Sequence, residues 1–113
     1  MKKGVSENYL EKIPVISEKI FDVQESDNLV TLVIENKGAW NRIFQKLLKK
    51  PKFSYIHLDE NGSFIWKTID GDTNLVEIGK RVDEHFGESA HPLYERLAEF
   101  FHILESNNFV KFK

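Results

Sequence analysis

The sequence contains no cysteine. That removes thiolate catalysis, disulfides and Cys-ligated zinc or iron–sulfur centres together. No run of about 18 apolar residues occurs, so a spanning helix is not expected. The segment after Met1-Lys2-Lys3 lacks the apolar core of a secretion signal, which points to a soluble, cytoplasmic protein. There is no Gly-rich phosphate loop. The four histidines, His57, His85, His91 and His102, match neither a helical i, i+4 ligand pair nor a known metal motif and read as surface or strand residues. Carboxylates are plentiful but interleaved with Lys and Arg on helix faces. No catalytic residue, metal site or cofactor is therefore assigned, and an enzyme is not expected.

What is present suits one small domain. The chain has 113 residues, 41% hydrophobic and 30% charged, enough for a single modest core. With a net charge of −2, any attraction to nucleic acid or an anionic membrane must come from a local patch. One basic segment exists: Lys37, Arg42, Lys46, Lys49, Lys50 and Lys52 have no acidic residue among them. Within it Trp40, Ile43, Phe44, Leu47 and Leu48 recur at helical spacing. A membrane-surface or nucleic-acid-binding helix is one reading of 37–50. The preferred one is a crossover helix docked on the domain, since so short a helix needs packing to be stable.

The organising stretch is 51–71. Phe53, Tyr55 and His57 alternate with Ser54, Ile56 and Leu58, which is strand periodicity. Asp59 then caps a helix carrying Gly62, Ile65 and Ile69 on one face, and Asp70-Gly71 forms a turn. A glycine on that inner face implies a close neighbour. Upstream, 1–19 reads as a loosely ordered arm interrupted by Pro14. Residues 20–36 read as a hairpin turning at Glu25–Asn28, its second strand the better buried. Downstream, Asn74 caps a helix with Leu75, Ile78, Gly79, Val82 and Phe86 on one face, ended by Gly87. Pro92 opens the last long helix, with Ser89 or His91 as its cap and Leu93, Leu97, Phe100 and Leu104 as its core stripe. Tyr94, Ala98 and Phe101 widen that stripe to one side. Asn107-Asn108 ends the helix, and Phe109, Val110 and Phe112 read as a short last strand.

Strand, strand, strand, helix, helix, helix is the order of a small winged-helix domain. The fold class expected is α+β, a three-stranded N-terminal antiparallel sheet followed by a three-helix bundle, within one domain spanning 1–113. From Pro51 onward the chain resembles the PqqD family, the coenzyme PQQ synthesis protein D group. The likeness rests on Leu58-Asp59-Glu60-Asn61-Gly62, Ile65-Trp66, Ile69-Asp70-Gly71, Glu77-Ile78, Phe86, Glu95-Arg96-Leu97 through Leu104, and Asn107-Asn108-Phe109-Val110. It departs from the family pattern at Asp59 and Asn108, and the basic segment is foreign to that pattern.

The resemblance implies a non-catalytic recognition element. Its ligand would be a ribosomal precursor (leader) peptide and its partner a peptide-modifying enzyme of the radical SAM type. The peptide would add as a strand beside Phe53, Tyr55 and His57, against a groove wall of Tyr55, Tyr94, Leu97 and Phe101. The plainer alternative for Leu97, Tyr94 and Phe101 is that they complete the core. A winged-helix DNA-binding regulator is a second reading, but its recognition helix 92–106 would turn Glu95, Glu99 and Glu105 toward phosphate, the wrong sign. A third is a dimerising accessory subunit, a homodimer through Trp40, Phe44 and Leu47.

Overall fold

The computed structural model describes residues 6–35 and 52–113. The expected helix at 37–50, and with it the interface of Trp40, Phe44 and Leu47, lies outside the described residues. The architecture is α+β, with a three-stranded antiparallel sheet in the order β2-β3-β4. Here β2 is Ile20–Ser26, β3 is Leu29–Glu35 and β4 is Phe53–His57. The sheet is not N-terminal, because a helical turn α1 (Glu7–Leu10) and a strand β1 (Pro14–Ile16) precede it. β1 forms a separate two-stranded sheet with the C-terminal strand β5 (Val110–Phe112). The remaining helices are α2 (Glu60–Thr68), α3 (Leu75–Phe86) and α4 (Leu93–Ser106). With α1 the described residues therefore carry four α-helices, not a plain three-helix bundle.

Residues 6–19 are not the loose arm that their composition suggests. Ser6 Oγ accepts the Tyr9 amide at 3.1 Å and caps α1. Beyond it the backbone is claimed from both sides. Ser17 N–H donates to Phe109 C=O, Lys113 N–H to Ile13 C=O, and the first amide of α3, Leu75, to Lys12 C=O. Pro14 is fully buried. Its missing N–H costs nothing at a strand start. The partners are all distant in sequence, so no local pattern announces them.

The hairpin turns on Asp27 and Asn28, at φ 53° and 67°. Asn and Asp tolerate this left-handed conformation better than other side-chain-bearing residues, and a pair of positive-φ central residues matches the twist of the flanking strands. β2 is exposed along nearly its whole length, whereas Val30, Leu32, Val33 and Ile34 of β3 are buried. Val30, Leu32 and Ile34 face the helices and join Ile65 and Trp66 in the main core.

The helices start and stop on local chemistry. Asp59 accepts the Gly62 amide at 2.7 Å and Asn74 the Glu77 amide at 3.0 Å. Between them Asp70 Oδ1 gathers the amides of Asp72 and Thr73, and Gly71 sits at φ 81°. The Asp72 amide is the main cause that holds the Asp70 carboxyl below the ordinary carboxylate range, followed by the Thr73 hydroxyl. Gly87, at φ 65°, ends α3 and leads into a 3-10 turn, Gly87–Ala90. Neither residue expected to cap α4 does so. Ser89 Oγ donates back to Phe86 C=O and the His91 ring meets Asp83 at 2.7 Å, leaving Pro92 at the cap position without a side-chain bond.

Gly79 is where α3 and α4 touch most closely. A Cβ there would collide with Cε1 of the Tyr94 ring, and the Tyr94 hydroxyl donates to Val76 C=O at 3.2 Å. Gly79→Ala is expected to displace the Tyr94 ring and cost about 1–3 kcal/mol, read as a lowered thermal midpoint. In a Tyr94→Ala background the same change should be neutral or mildly stabilising, because Ala exceeds Gly in helix propensity by about 1 kcal/mol. An equal loss in both backgrounds would refute the contact.

Ser63 carries a second tie. Its hydroxyl accepts the Val30 amide at 2.8 Å and donates to Leu58 C=O at 3.3 Å, with the residue wholly buried. Ser63→Ala strands a buried donor and should destabilise by about 1–3 kcal/mol. Urea unfolding that gives an unchanged midpoint would contradict this.

Candidate functional site

β4 stands at one side of the sheet, and among the described residues no strand pairs with its outer edge. Which main-chain groups it offers follows from the register. Leu58 N–H donates to Val30 C=O at 2.9 Å. The same register pairs Ile56 with Leu32 and Ser54 with Ile34. Antiparallel pairs alternate between bonded and non-bonded. Leu58, Ile56 and Ser54 therefore spend their backbone groups on β3, while those of Phe53, Tyr55 and His57 point outward along the free edge. An extended chain could bond there at three alternate positions.

The side chains divide differently. Phe53, Tyr55 and His57 lie opposite Glu35, Val33 and Thr31, on the sheet face turned away from the helices. There the Phe53 ring meets Phe21 of β2 at 5.0 Å, His57 Nδ1 shares a 2.9 Å hydrogen bond with Thr31 Oγ1, and Tyr55 is half exposed. Tyr55, expected at the groove wall, thus cannot face α4. Its backbone is at the edge and its ring is on the other side.

The helix side of the expected groove also differs. Leu97 and Phe101 are 2% and 0% exposed. Phe101 is a core residue, held against Phe112 of β5 at 6.3 Å and Phe100 at 5.7 Å. Tyr94 packs on Gly79 of α3. Burial pushes its hydroxyl pKa up, with smaller contributions from Asp83 and Glu77. Of these expected wall residues, Tyr94 lines one cleft with Asp83, His91 and Pro92, and Leu97 lines a separate one beside Gly62 and Phe100.

That cleft opens where β4 hands over to α2. Its volume is about 270 Å³, and its lining includes Ile65, Val82, Ala90, Leu93, Leu97 and Phe100, with Asp59, Asn61, Gly62 and Arg96 completing it. Its lining begins at Asp59, one residue beyond Leu58. Gly62 keeps it open: a Cβ there would lie 3.1 Å from both Phe100 Cε1 and Asp59 Oδ1, the close neighbour that a glycine on this helix face implies. The helical projection assigned Phe100 to the core and Phe101 to the wall. The structure exchanges them, because β5 folds back over Phe101 and leaves Phe100 half buried beside Gly62. Arg96 and Phe100 were the residues missed. The Gly62 signal pointed at their location, but a helix read alone does not say which flank a later strand will cover.

Among the described residues no group of His, Asp and Glu could hold a metal ion, and no helix is long and apolar enough to cross a membrane. An open strand edge leading into an apolar cleft can hold an extended chain; it offers no grouping of nucleophile and base. The site therefore has the form of a binding domain. The family model for coenzyme PQQ synthesis protein D (PqqD) matches residues 47–110, more than half of the chain, and the chain belongs to that family. PqqD proteins are non-catalytic accessory proteins. No curated protein and no solved structure gave a match.

Exchanging the roles of the paired phenylalanines has a direct consequence. Phe101→Ala should cost about 3–5 kcal/mol, as for a large buried aromatic. Phe100→Ala, at a half-open site, should cost much less and keep a cooperative unfolding transition. Equal losses in paired denaturation curves would return Phe100 to the core.

Proposed function

We propose that this chain is a non-catalytic peptide-recognition domain that holds a ribosomal precursor peptide for a separate modifying enzyme. The observation that carries this reading is the outward-facing backbone of Phe53, Tyr55 and His57, on a strand followed within two residues by Asp59 of the apolar cleft between α2 and α4. Strand addition on such an edge supplies main-chain hydrogen bonds, and alternate side chains supply selectivity. In an added strand, residues aligned with Ser54, Ile56 and Leu58 send their side chains to the helix face, toward the cleft. Those aligned with Phe53, Tyr55 and His57 send theirs over the outer face.

Family membership supports the same reading, since PqqD proteins bind a precursor peptide and work with a modifying enzyme. The cleft also has the size for it. At about 270 Å³ it falls below the roughly 300–1,000 Å³ of sites for drug-sized ligands and suits side chains carried on a peptide. Apolar anchors worth about 1.5–3 kcal/mol each, less the cost of ordering the peptide, give an affinity on the order of micromolar.

Titrating isotope-labelled protein with a precursor peptide encoded beside its gene tests the proposal. The amides of Phe53, Tyr55 and His57 should shift together with those of Leu93 to Phe100, two segments joined only by this site. Shifts confined to β2, or to 36–51, would overturn it.

A further inference from the structure

Resting on that reading, the geometry points to Arg96 as the residue that selects the peptide: it takes a carboxylate side chain two residues from the apolar anchor that enters the cleft. Arg96 lines the cleft mouth, one turn of α4 before Phe100. Its Nη1 donates to Ser89 C=O at 3.0 Å, which ties the guanidinium to the turn before α4. A guanidinium has five N–H donors in a rigid fork, so one backbone bond leaves the fork able to meet a carboxylate.

The described residues supply no such carboxylate. Their ion pairs are Lys67 with Glu25, His91 with Asp83 and Lys113 with Asp72, none of which involves Arg96. Asp59, the acidic residue of the cleft lining, turns Oδ1 to the Gly62 amide at 2.7 Å as the cap of α2 and forms no ion pair with Arg96. Glu95 and Glu99 sit on the same helix without an ion pair to Arg96. The remaining lining is mostly apolar. A peptide that seats an apolar side chain there brings the residue two positions away, which shares that face of the added strand, to the guanidinium, and an acidic one is the complementary choice. Lysine at that position would meet a like charge.

The test uses capped, dye-labelled peptides of alternating Thr and Val, closed at each end by Leu-Thr-Glu, Leu-Thr-Gln or Leu-Thr-Lys, so that the anchor and the varied residue share one face in either strand direction. Anisotropy titration should rank Glu above Gln by roughly fivefold, the scale of a partly exposed charged pair, with Lys weakest. Added salt should narrow the gap. Arg96→Lys should keep the order, and Arg96→Glu should reverse it in favour of the Lys peptide, a reversal that mere loss of the Ser89 contact cannot produce. If Glu and Gln peptides bind equally while the β4 amides still shift, the assignment of Arg96 falls and strand addition stands. If no peptide shifts the β4 amides, both fall.

Discussion

One hydroxyl group sets the geometry on which the rest depends. At the last rung between β3 and β4, the regular ladder would return the Val30 amide to Leu58 C=O. Ser63 enters instead, accepting from Val30 and donating to Leu58. The ladder thus opens by one side chain where the strand must become a helix, without leaving a buried donor unpaired. It also pins α2 to the sheet four residues after the Asp59 cap. Cap and relay together direct Ile65 and Trp66 into the core and place Gly62 beneath α4.

The cleft follows from that placement. Helices brought together by Ile65, Val82 and Leu97 would ordinarily fill the gap with a side chain from α2. Gly62 has none, and Phe100 stands at contact distance from where its Cβ would be. Gly79 has the opposite use, since the Tyr94 ring fills its space and draws α3 and α4 together. One glycine leaves an opening and the other closes a helix contact. A glycine in a helix interior costs about 1 kcal/mol relative to alanine, which close packing offsets at Gly79.

The two edges of the main sheet are unlike. β2 bears a register shift between Ile20 and Asp22 and carries Asp22 and Glu25, features that discourage strand pairing. β4 is short and regular and ends at a cleft. This asymmetry makes β4 the edge suited to receive another strand, and it separates the backbone that would bind from the Phe53, Tyr55 and His57 side chains on the outer face.

Local chemistry alone determined much of this protein. The Asp59 and Asn74 caps, the Asp27-Asn28 turn, the Gly87 and Asn108 helix ends, the strand 53–57 and the buried second hairpin strand are all readable because each depends on residues within a few positions. Gly62 likewise announced a close neighbour. Tertiary structure decided what depended on distant partners. The last strand was legible from Phe109, Val110 and Phe112, but its partner β1 has little pattern of its own, and the two form by pairing across nearly the full chain. That pairing made the N-terminal residues structural and put a second sheet beside the first. The same returning strand covered Phe101 rather than Phe100, a choice between adjacent positions 100° apart that helical periodicity cannot make. Which face of β4 met the helices, and so which of its groups could face a ligand, was settled only when α2 packed against β3.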